Sequence, residues 1–411
     1  MRQINRREFS GLLAVLGAQT KRLYGAASGN GKVDDTLRSG IAARKIPAAI
    51  GMAATEDKIL YSGAFGTRDS SGVPATADSI FAIASMTKAI TTVAALQLVE
   101  QGKVKLEEPV SQHLPQLGKL DVLDGFDPAG KPRLHPVRTP VTLKHLLTHT
   151  SGFCYDTWDA DMFRYASQTN GANPTVPPLM FEPGTRWQYG TGVDWAGRLV
   201  EAVSGMDLEQ YFQSKILGPL NMWDTSFLVP ASKFDRLVTS YTRQSDGSLK
   251  PDQRVPPRPP KQFNGGGGLY STAGDYVRFM QMILGKGRGV NNARILQAKT
   301  VASMEINQIG EATAGKMKSY RPNLSSDVDI QPGFTEKWGL GFLINTTAYA
   351  GGRSAGSLAW AGIDNTFYWI DPKQSVCAVL MMQFLPFVDK EAVGLLGDFE
   401  RAVYNGLRSS A

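Results

Sequence analysis

The spacing of hydrophobic positions predicts a series of amphipathic and buried helices along the chain. The strongest helical pattern covers residues 85–101 and stops at Gly102, and glycine is the residue type that most often ends a helix. An amphipathic pattern over residues 33–46 predicts an earlier helix. Further helices are predicted over residues 143–148, 193–204, 208–217, 273–284 and about 390–407.

Short hydrophobic runs near both ends of the chain predict β-strands. Residues 48–55 and 58–65 flank a polar Glu56-Asp57 pair, which is typical of a hairpin. The last hundred residues alternate as strands would, over residues 338–345, 357–361, 366–370 and 376–383. These strands predict an α/β (α+β) fold, with an antiparallel sheet built from both ends of the chain, flanked by helices and interrupted by a helical insertion.

The amino-acid composition of the sequence changes between the two groups of strands. Prolines and aromatic residues become frequent, and the predicted helices are joined by irregular loops. We therefore expect a sheet domain from residues 31–110 and 265–411, and a mainly helical subdomain from residues 111–264. The active site is expected between them.

Composition places the chain among globular proteins. It has 411 residues, 42% hydrophobic and 20% charged, which is enough for a substantial core. The net charge of +7 is modest, and the densest basic stretch, residues 254–261, is broken by four prolines. These features argue against a nucleic-acid partner.

Cysteine and histidine are scarce. Cys154 and Cys377 lie far apart, so one disulfide is possible but two buried free thiols are favoured. His145 and His149 are spaced i, i+4 but lack the glutamate of a zinc-protease helix. No metal or cofactor is therefore predicted, and the two histidines are expected to cap and pack the end of a helix.

The first 30 residues leave localisation open. Residues 5–9 contain two arginines and precede an apolar run over residues 12–18, a pattern that resembles a twin-arginine export signal. The apolar run is too short to span a bilayer, so no stable membrane anchor is predicted. The alternatives are a periplasmic protein with this signal and a cytoplasmic protein with an amphipathic N-terminal helix.

Ser85 and Lys88 are the first candidate for chemistry. Residues three apart share one face of a helix, so the lysine ammonium would lie beside the serine hydroxyl. The positive end of the helix macrodipole would favour a developing negative charge there, and together these effects activate a serine nucleophile. The alternative is that Ser85 only caps the helix.

Ser354 is a second candidate nucleophile. It lies in Gly-Arg-Ser-Ala-Gly at residues 352–356, which matches the nucleophile elbow of α/β-hydrolases. That machinery needs a histidine after the serine, but the last histidine of this chain is His149. Ser354 is therefore interpreted as a turn residue.

Without a suitable histidine, a serine hydrolase needs another base, and a lysine can take that role. Tyr189 is a candidate to share it. It lies on a loop between a turn at residues 182–185 and the helix beginning at Val193, a position suited to contact with a substrate.

Four motifs occur in order along the chain and together resemble one known superfamily. They are Ser85-x-x-Lys88, residues 141–152 (VTLKHLLTHTSG), Pro183-Gly184 ahead of Tyr189, and residues 266–272 (GGGLYST). The chain resembles the serine β-lactamases and penicillin-binding proteins over most of its length after residue 35. Within that superfamily it is most similar to the class C-like family VIII carboxylesterases and to the fungal lovastatin side-chain acyltransferases.

The resemblance implies a β-lactamase-like fold and a set of site residues. Ser85 would be the acylated nucleophile, Lys88 its partner and Tyr189 the tyrosine that shares the proton. The triplet Trp360-Ala361-Gly362 would line the substrate site where β-lactamases carry Lys-Thr-Gly. The backbone N–H groups of Ser85 and Ile363 would form the oxyanion hole.

Two departures from the β-lactamase pattern narrow the predicted substrate. Thr191 stands where those enzymes have an asparagine, and Trp360 replaces the lysine that helps to bind the β-lactam carboxylate. An indole favours an apolar, uncharged group. The resemblance therefore implies a carboxylesterase acting on uncharged, short-to-medium acyl esters, with a small-molecule ester as its partner. Acyl transfer to an alcohol, β-lactamase or D-alanyl peptidase activity, and a non-enzymatic penicillin-recognising protein are the alternatives.

Overall fold

The computed structural model describes residues 31–169, 176–253, 255 and 257–409, so the twin-arginine pattern lies outside the described residues. The strands of this part of the chain are β1 Ala48–Ala54, β2 Ile59–Gly66, β3 Phe81–Ala82, β4 Asp121–Phe126, β5 Pro132–Pro136, β6 Tyr241–Arg243, β7 Leu249–Pro251, β8 Tyr270–Ser271, β9 Glu336–Trp338, β10 Leu343–Asn345, β11 Leu358–Gly362, β12 Thr366–Asp371, β13 Val376–Met381 and β14 Phe384–Leu385.

The α-helices are α1 Gly31–Arg44, α2 Thr87–Glu100, α3 Leu143–Leu147, α4 Ala160–Gln168, α5 Gly192–Ser204, α6 Leu208–Phe212, α7 Ala273–Leu284, α8 Ala298–Met304 and α9 Lys390–Ser409. A π-helical segment, Gln213–Leu217, continues α6. Short 3₁₀ turns cover Ala84–Met86, Val110–Gln112, Pro115–Leu117 and Ala231–Arg236.

The main sheet is antiparallel and has seven strands in the order β2-β1-β13-β12-β11-β10-β9. Strands β1 and β2 form the predicted hairpin, and β1 pairs with β13 from the far end of the chain. The predicted α/β fold, with an antiparallel sheet from both ends of the sequence, is confirmed.

Helices cover both faces of this sheet. Successive residues of β12 point to opposite faces, and Tyr368 packs against Tyr276 of α7 while Trp369 packs against Tyr404 of α9. Helix α9 also packs against α1. The β1, β12 and β13 strands are buried along their whole length because they are covered on both sides.

Helix α2 is the central helix of the molecule. Every residue from Thr87 to Leu98 is buried, and the helix packs against α5 from the predicted helical subdomain. Such a helix is buried all round and has no face to present to water, although its buried residues include polar side chains such as Lys88 and Gln97. Lys88 is therefore held deep in the protein by the burial of its own helix.

The structure differs from the sequence prediction in some elements. The single strand predicted over residues 338–345 is wrong, because Gly339 and Gly341 allow a turn that splits it into β9 and β10. The sequence pattern predicted no element where the structure has helices α4 and α8 and the β4–β5 hairpin. All seven strands of the main sheet lie in residues 48–66 and 336–381, and the division at residues 110 and 264 stays a prediction.

The described residues also bear on cysteine pairing, metal ligands and membrane-spanning helices. Cys154 and Cys377 are both buried free thiols, which confirms the favoured prediction. No group of three potential ligands for a metal ion is found within residues 31–169, 176–253, 255 and 257–409. In the same residues, no helix has the length and apolar character required to cross a bilayer.

Candidate active site

Ser85 lies in the 3₁₀ turn that leads into helix α2. Met86 occupies the N-cap position of the helix, with no side-chain cap hydrogen bond, so the interpretation of Ser85 as a mere helix cap is wrong. Ala84, just before it, has a φ of 43°, in the left-handed region that non-glycine residues seldom adopt. The turn therefore presents the half-buried Ser85 hydroxyl at some conformational cost, which is a feature often found at functional sites.

Lys88 Nζ contacts three oxygens. It donates to Ser85 Oγ at 3.2 Å, to the Tyr155 hydroxyl at 3.1 Å and to the Gly266 carbonyl at 2.6 Å. A lysine ammonium has three donors, and here each has an acceptor. The predicted contact between Ser85 and Lys88 is therefore present, and the ammonium is fully hydrogen-bonded.

Two tyrosines surround this ammonium. Tyr189 is buried, and Lys88 Nζ lies 4.8 Å from the centroid of its ring. The ring of Tyr155 packs against that of Tyr189, with centroids 5.4 Å apart. The sequence analysis identified Tyr189 but missed Tyr155, although Tyr155 follows the motif of residues 141–152 by only three positions.

A glycine brings the two tyrosines together. A Cβ on Gly190 would lie 1.8 Å from the Phe153 carbonyl oxygen, so only glycine allows the two backbone segments to approach this closely. Each segment carries its tyrosine next to the contact, since Tyr155 follows Phe153 by two residues and Tyr189 precedes Gly190. The approach of the two backbones thus determines the pairing of the two rings.

Trp360, on the sheet strand β11, completes the site. Its indole Nε1 donates a hydrogen bond to the Tyr189 hydroxyl at 3.0 Å, and the side chain is only 5% exposed. Trp360 therefore contacts Tyr189 through both its N–H and its ring, whose centroid lies 4.8 Å from that of Tyr189. The substrate-binding role expected for Trp360, Ala361 and Gly362 stays a prediction.

Strand β11 approaches the Ser85 turn closely. A Cβ on Gly362 would lie 2.5 Å from the carbonyl oxygen of Ile83, two residues before Ser85. Glycine at this position lets the end of the strand lie against the turn, and the next residue is Ile363. This proximity supports the expected oxyanion hole formed by the N–H groups of Ser85 and Ile363, which stays a prediction.

The two histidines have separate roles. His145 caps the start of α3, where its Nδ1 accepts from Thr142 N and Thr142 Oγ1 accepts from His145 N. His149 follows the end of that helix with a φ of 57° and packs its ring 4.5 Å from the Tyr189 ring. The expectation that both residues cap and pack the helix end is wrong for His145, which caps the helix start, whereas His149 lies at the helix end and also packs against Tyr189.

Burial and charge control ionisation in the site. Burial opposes the ammonium, but the oxygens of Tyr155, Tyr189 and Asp194 outweigh this effect and raise the pKa of Lys88. Burial also raises the pKa of Tyr155, although the Lys88 charge opposes it. Burial, aided by the same charge, holds the pKa of His149 well below its ordinary value. At neutral pH the site thus contains a lysine ammonium and a neutral histidine.

Ser354 lies in a different environment. Its backbone N donates to Asp371 Oδ2 at 2.8 Å, and its hydroxyl accepts from Gln374 Nε2 at 3.2 Å. The neighbouring Arg353 forms a buried ion pair with Glu400 of α9. These contacts support the interpretation of Ser354 as a structural turn residue.

One large groove on the molecule lies apart from the candidate site. A groove of about 790 Å³ lies between α1 and α9, lined by residues such as Lys32, Arg44 and Asp398. Ser85, Lys88 and their partners do not line it. The candidate site is therefore recognised by its chemistry.

Comparisons with known proteins identify the family and the fold of the chain. The family model described as Beta-lactamase matches residues 33–398. Monacolin J acid methylbutanoyltransferase from Aspergillus terreus is 32% identical over 396 residues, which cover 90% of this chain and 95% of that protein. Lovastatin esterase from Penicillium rubens is 31% identical, covering 90% and 98%. The structure of a simvastatin synthase mutant from Aspergillus terreus matches with a TM-score of 0.80 and 32% identity, covering 92% of this chain and 95% of that one.

Proposed function

Because the chain belongs to the beta-lactamase family, we propose that it is a serine carboxylesterase that cleaves uncharged, short-to-medium acyl esters through an acyl-enzyme on Ser85. The observation that carries the proposal is the contact of Ser85 Oγ with Lys88 Nζ at 3.2 Å, inside a pair of tyrosines. A buried ammonium beside a serine hydroxyl stabilises the alkoxide that must form as the serine attacks.

Tyr189 is the proposed proton carrier. Tyr189 reacts as a phenolate: its oxygen takes the proton of Ser85 as Oγ attacks the ester carbonyl, and gives that proton to the alcohol as the ester C–O bond breaks, which returns Tyr189 to the phenolate. The Trp360 N–H and the Lys88 charge stabilise negative charge on that oxygen. The N–H groups of Ser85 and Ile363 hold the tetrahedral oxyanion, an effect worth about 3 kcal/mol per donor. Water then attacks the acyl-enzyme and releases the acid.

The surroundings of the site favour uncharged esters. Trp158 and Trp338 pack their rings 5.5 Å and 6.5 Å from that of Tyr189, and Trp360 replaces the lysine that would bind an anionic substrate. Lys88, the buried cation of the site, already has three hydrogen-bond acceptors. An anionic substrate would therefore lose its hydration without gaining a matching partner.

Acyl transfer to an alcohol is the second candidate. One relative is named a methylbutanoyltransferase and another a lovastatin esterase, at nearly equal identity to this chain. Both outcomes use the same acyl-enzyme and differ only in whether water or an alcohol attacks it. The names of the relatives therefore support the acyl-enzyme and leave its acceptor to experiment.

One assay series tests these assignments. The full chain is given p-nitrophenyl esters of increasing acyl length, with and without an alcohol acceptor, and a chromogenic cephalosporin. We expect a burst of p-nitrophenol and turnover of the esters in preference to the cephalosporin. Faster p-nitrophenol release with formation of a new ester would assign acyl transfer, and preferred cephalosporin turnover would assign a β-lactamase.

Two matched serine variants identify the nucleophile. Ser85→Ala should abolish the burst and the labelling by a fluorophosphonate probe, whereas Ser354→Ala should retain both. Ester turnover that survives in Ser85→Ala and is lost in Ser354→Ala would contradict the proposal. A wild-type protein that the probe does not label and that turns over no ester would indicate a non-enzymatic binding protein.

A further inference from the structure

The Gly266 carbonyl gives Lys88 its shortest hydrogen bond, at 2.6 Å, and the loop around Gly266 is fastened to helix α2. Thr91 Oγ1 donates to the Gly265 carbonyl at 2.6 Å, and Leu269 N donates to Thr87 Oγ1 at 3.3 Å. The position of this backbone carbonyl therefore determines where the ammonium lies relative to Ser85.

Asp194, in the first turn of α5, lies directly behind this carbonyl. Its Oδ1 accepts from Gly266 N at 3.2 Å, and a Cβ on Gly266 would lie 2.3 Å from its Oδ2. The carboxylate and the ammonium thus contact the N–H and the C=O of the same residue, Gly266, whose N–H also donates to Asn264 Oδ1 at 2.9 Å. Only glycine at residue 266 allows this approach.

The second oxygen of Asp194 is unusual. Asp194 Oδ2 is buried and has no hydrogen-bond partner among the described residues. A buried carboxylate oxygen without a donor is costly unless a nearby positive charge stabilises it. Lys88 and Arg198 supply that charge, and the Asp194 charge in turn supports the Lys88 ammonium.

We propose that Asp194 is a positioning residue of the active site, which holds the Gly266 carbonyl on the Lys88 ammonium and so fixes that ammonium beside Ser85. This inference rests on the proposed acyl-enzyme function. Asp194 does not touch the reacting atoms. It acts through the backbone of Gly266 and through its negative charge, which adds to the effects of Tyr155 and Tyr189 in raising the pKa of Lys88.

The variant Asp194→Asn tests the role of the charge, because asparagine has nearly the same shape and its amide oxygen can still accept from Gly266 N. We expect the acylation burst with a p-nitrophenyl ester to slow about 10- to 100-fold. The groups that face Lys88 are Tyr155, Tyr189, His149 and Asp194, and the variant removes the carboxylate among them. The pKa of Lys88 should therefore fall, and the loss of activity at alkaline pH should begin at a lower pH than in the wild type.

A matched control is Asp275→Asn. Asp275 is also a buried aspartate in the first turn of a helix, where it accepts from Asp224 N at 2.7 Å and from Thr225 Oγ1 at 3.1 Å. We expect this variant to keep the burst rate and the alkaline limit of the wild type. A slower burst in Asp194→Asn with an unshifted alkaline limit, or an equal shift in Asp275→Asn, would overturn the proposal.

A second pair of variants approaches the contact from the other side. Gly266→Ala would force the loop away from Asp194, and we expect the same slower burst and lower alkaline limit. In Gly267→Ala, the new Cβ would have its nearest neighbours at 3.8 Å, an ordinary contact, so a much smaller effect is expected. Unchanged acylation in Asp194→Asn and Gly266→Ala would overturn the proposal, whereas a burst that persists in Ser85→Ala would overturn the proposed function itself.

Discussion

Tyr155 and Tyr189 both contact Lys88, but with different parts of the side chain. The Tyr155 hydroxyl accepts directly from Nζ at 3.1 Å, whereas the ammonium lies over the Tyr189 ring and the Tyr189 hydroxyl accepts from Trp360. Tyr155 therefore uses its oxygen to hold the ammonium. The Tyr189 oxygen has a donor from the sheet side of the site, which would stabilise negative charge on it as it takes a proton.

The two phenylalanine variants separate these roles. Tyr189→Phe should lower kcat about 10²- to 10⁴-fold, since general acid–base catalysis contributes an effect of that size. Tyr155→Phe should lower it about tenfold, because one hydrogen bond to the ammonium is lost while the proton carrier stays. Burst and steady-state rates on a p-nitrophenyl ester measure both effects. A larger loss in Tyr155→Phe than in Tyr189→Phe would assign the proton to Tyr155.

At the scale of secondary structure, the site depends on close approaches between elements. Strand β11 approaches the Ser85 turn at Gly362, and the loop before α5 approaches the segment before Tyr155 at Gly190. Both glycines have ordinary negative or extended backbone angles, so they are needed for space rather than for conformation. The elements were predictable from local periodicity, but these contacts were not.

The contact of β11 with the Ser85 turn predicts the effect of Gly362→Ala. The new Cβ would lie 2.3 Å from Thr366 Oγ1 and 2.5 Å from the Ile83 carbonyl oxygen, so the strand end must move. If Ile363 N–H is an oxyanion donor, the acylation rate should fall about 10²- to 10³-fold. Stopped-flow bursts measure the rate and circular dichroism checks the fold. A folded variant with an unchanged burst would remove Ile363 from the oxyanion hole.

At the scale of the whole molecule, the last helix is joined to the sheet by a buried charge network. Arg353 donates to Glu400 of α9 through Nε at 3.0 Å and through Nη2 at 2.6 Å, and the two side chains are only 5% and 3% exposed. Tyr404 of α9 donates to Asp371 at 2.9 Å. Residues 352–356, whose sequence matches a nucleophile elbow, therefore serve to attach α9 to the sheet.

The variant Arg353→Met tests this attachment. It leaves Glu400 buried without its partner, which should lower the free energy of unfolding by about 3–5 kcal/mol. Activity per folded molecule should stay unchanged, because the pair lies outside the candidate active site. Arg401→Met is the control. Arg401 lies on α9, the helix that carries Glu400, and its replacement removes an exposed ion pair with Asp398. This should lower the free energy of unfolding by less than about 1 kcal/mol. Denaturant unfolding compares them, and equal destabilisation would contradict a structural role for the buried pair.

The sequence by itself predicted a candidate nucleophile with its lysine partner, and most strands of the sheet. These predictions follow from local spacing and hydrophobic periodicity, which act over a few residues. The role expected of Tyr189 came from the resemblance to the β-lactamase superfamily. The split of residues 338–345 into two strands escaped this reasoning because the turn there depends on a tertiary contact, where Gly341 lies against Thr92 of α2.

Only the tertiary structure decided the contacts of Lys88 with Tyr155 and Gly266, the hydrogen bond from Trp360 to Tyr189, and the place of Asp194 behind Gly266. The partners in these contacts are separated by 67 to 178 residues of chain. Their meeting depends on backbones that approach closely at glycines, which no local pattern specifies. The candidate nucleophile could therefore be predicted from the sequence, whereas the groups that contact its lysine partner were found only in the tertiary structure.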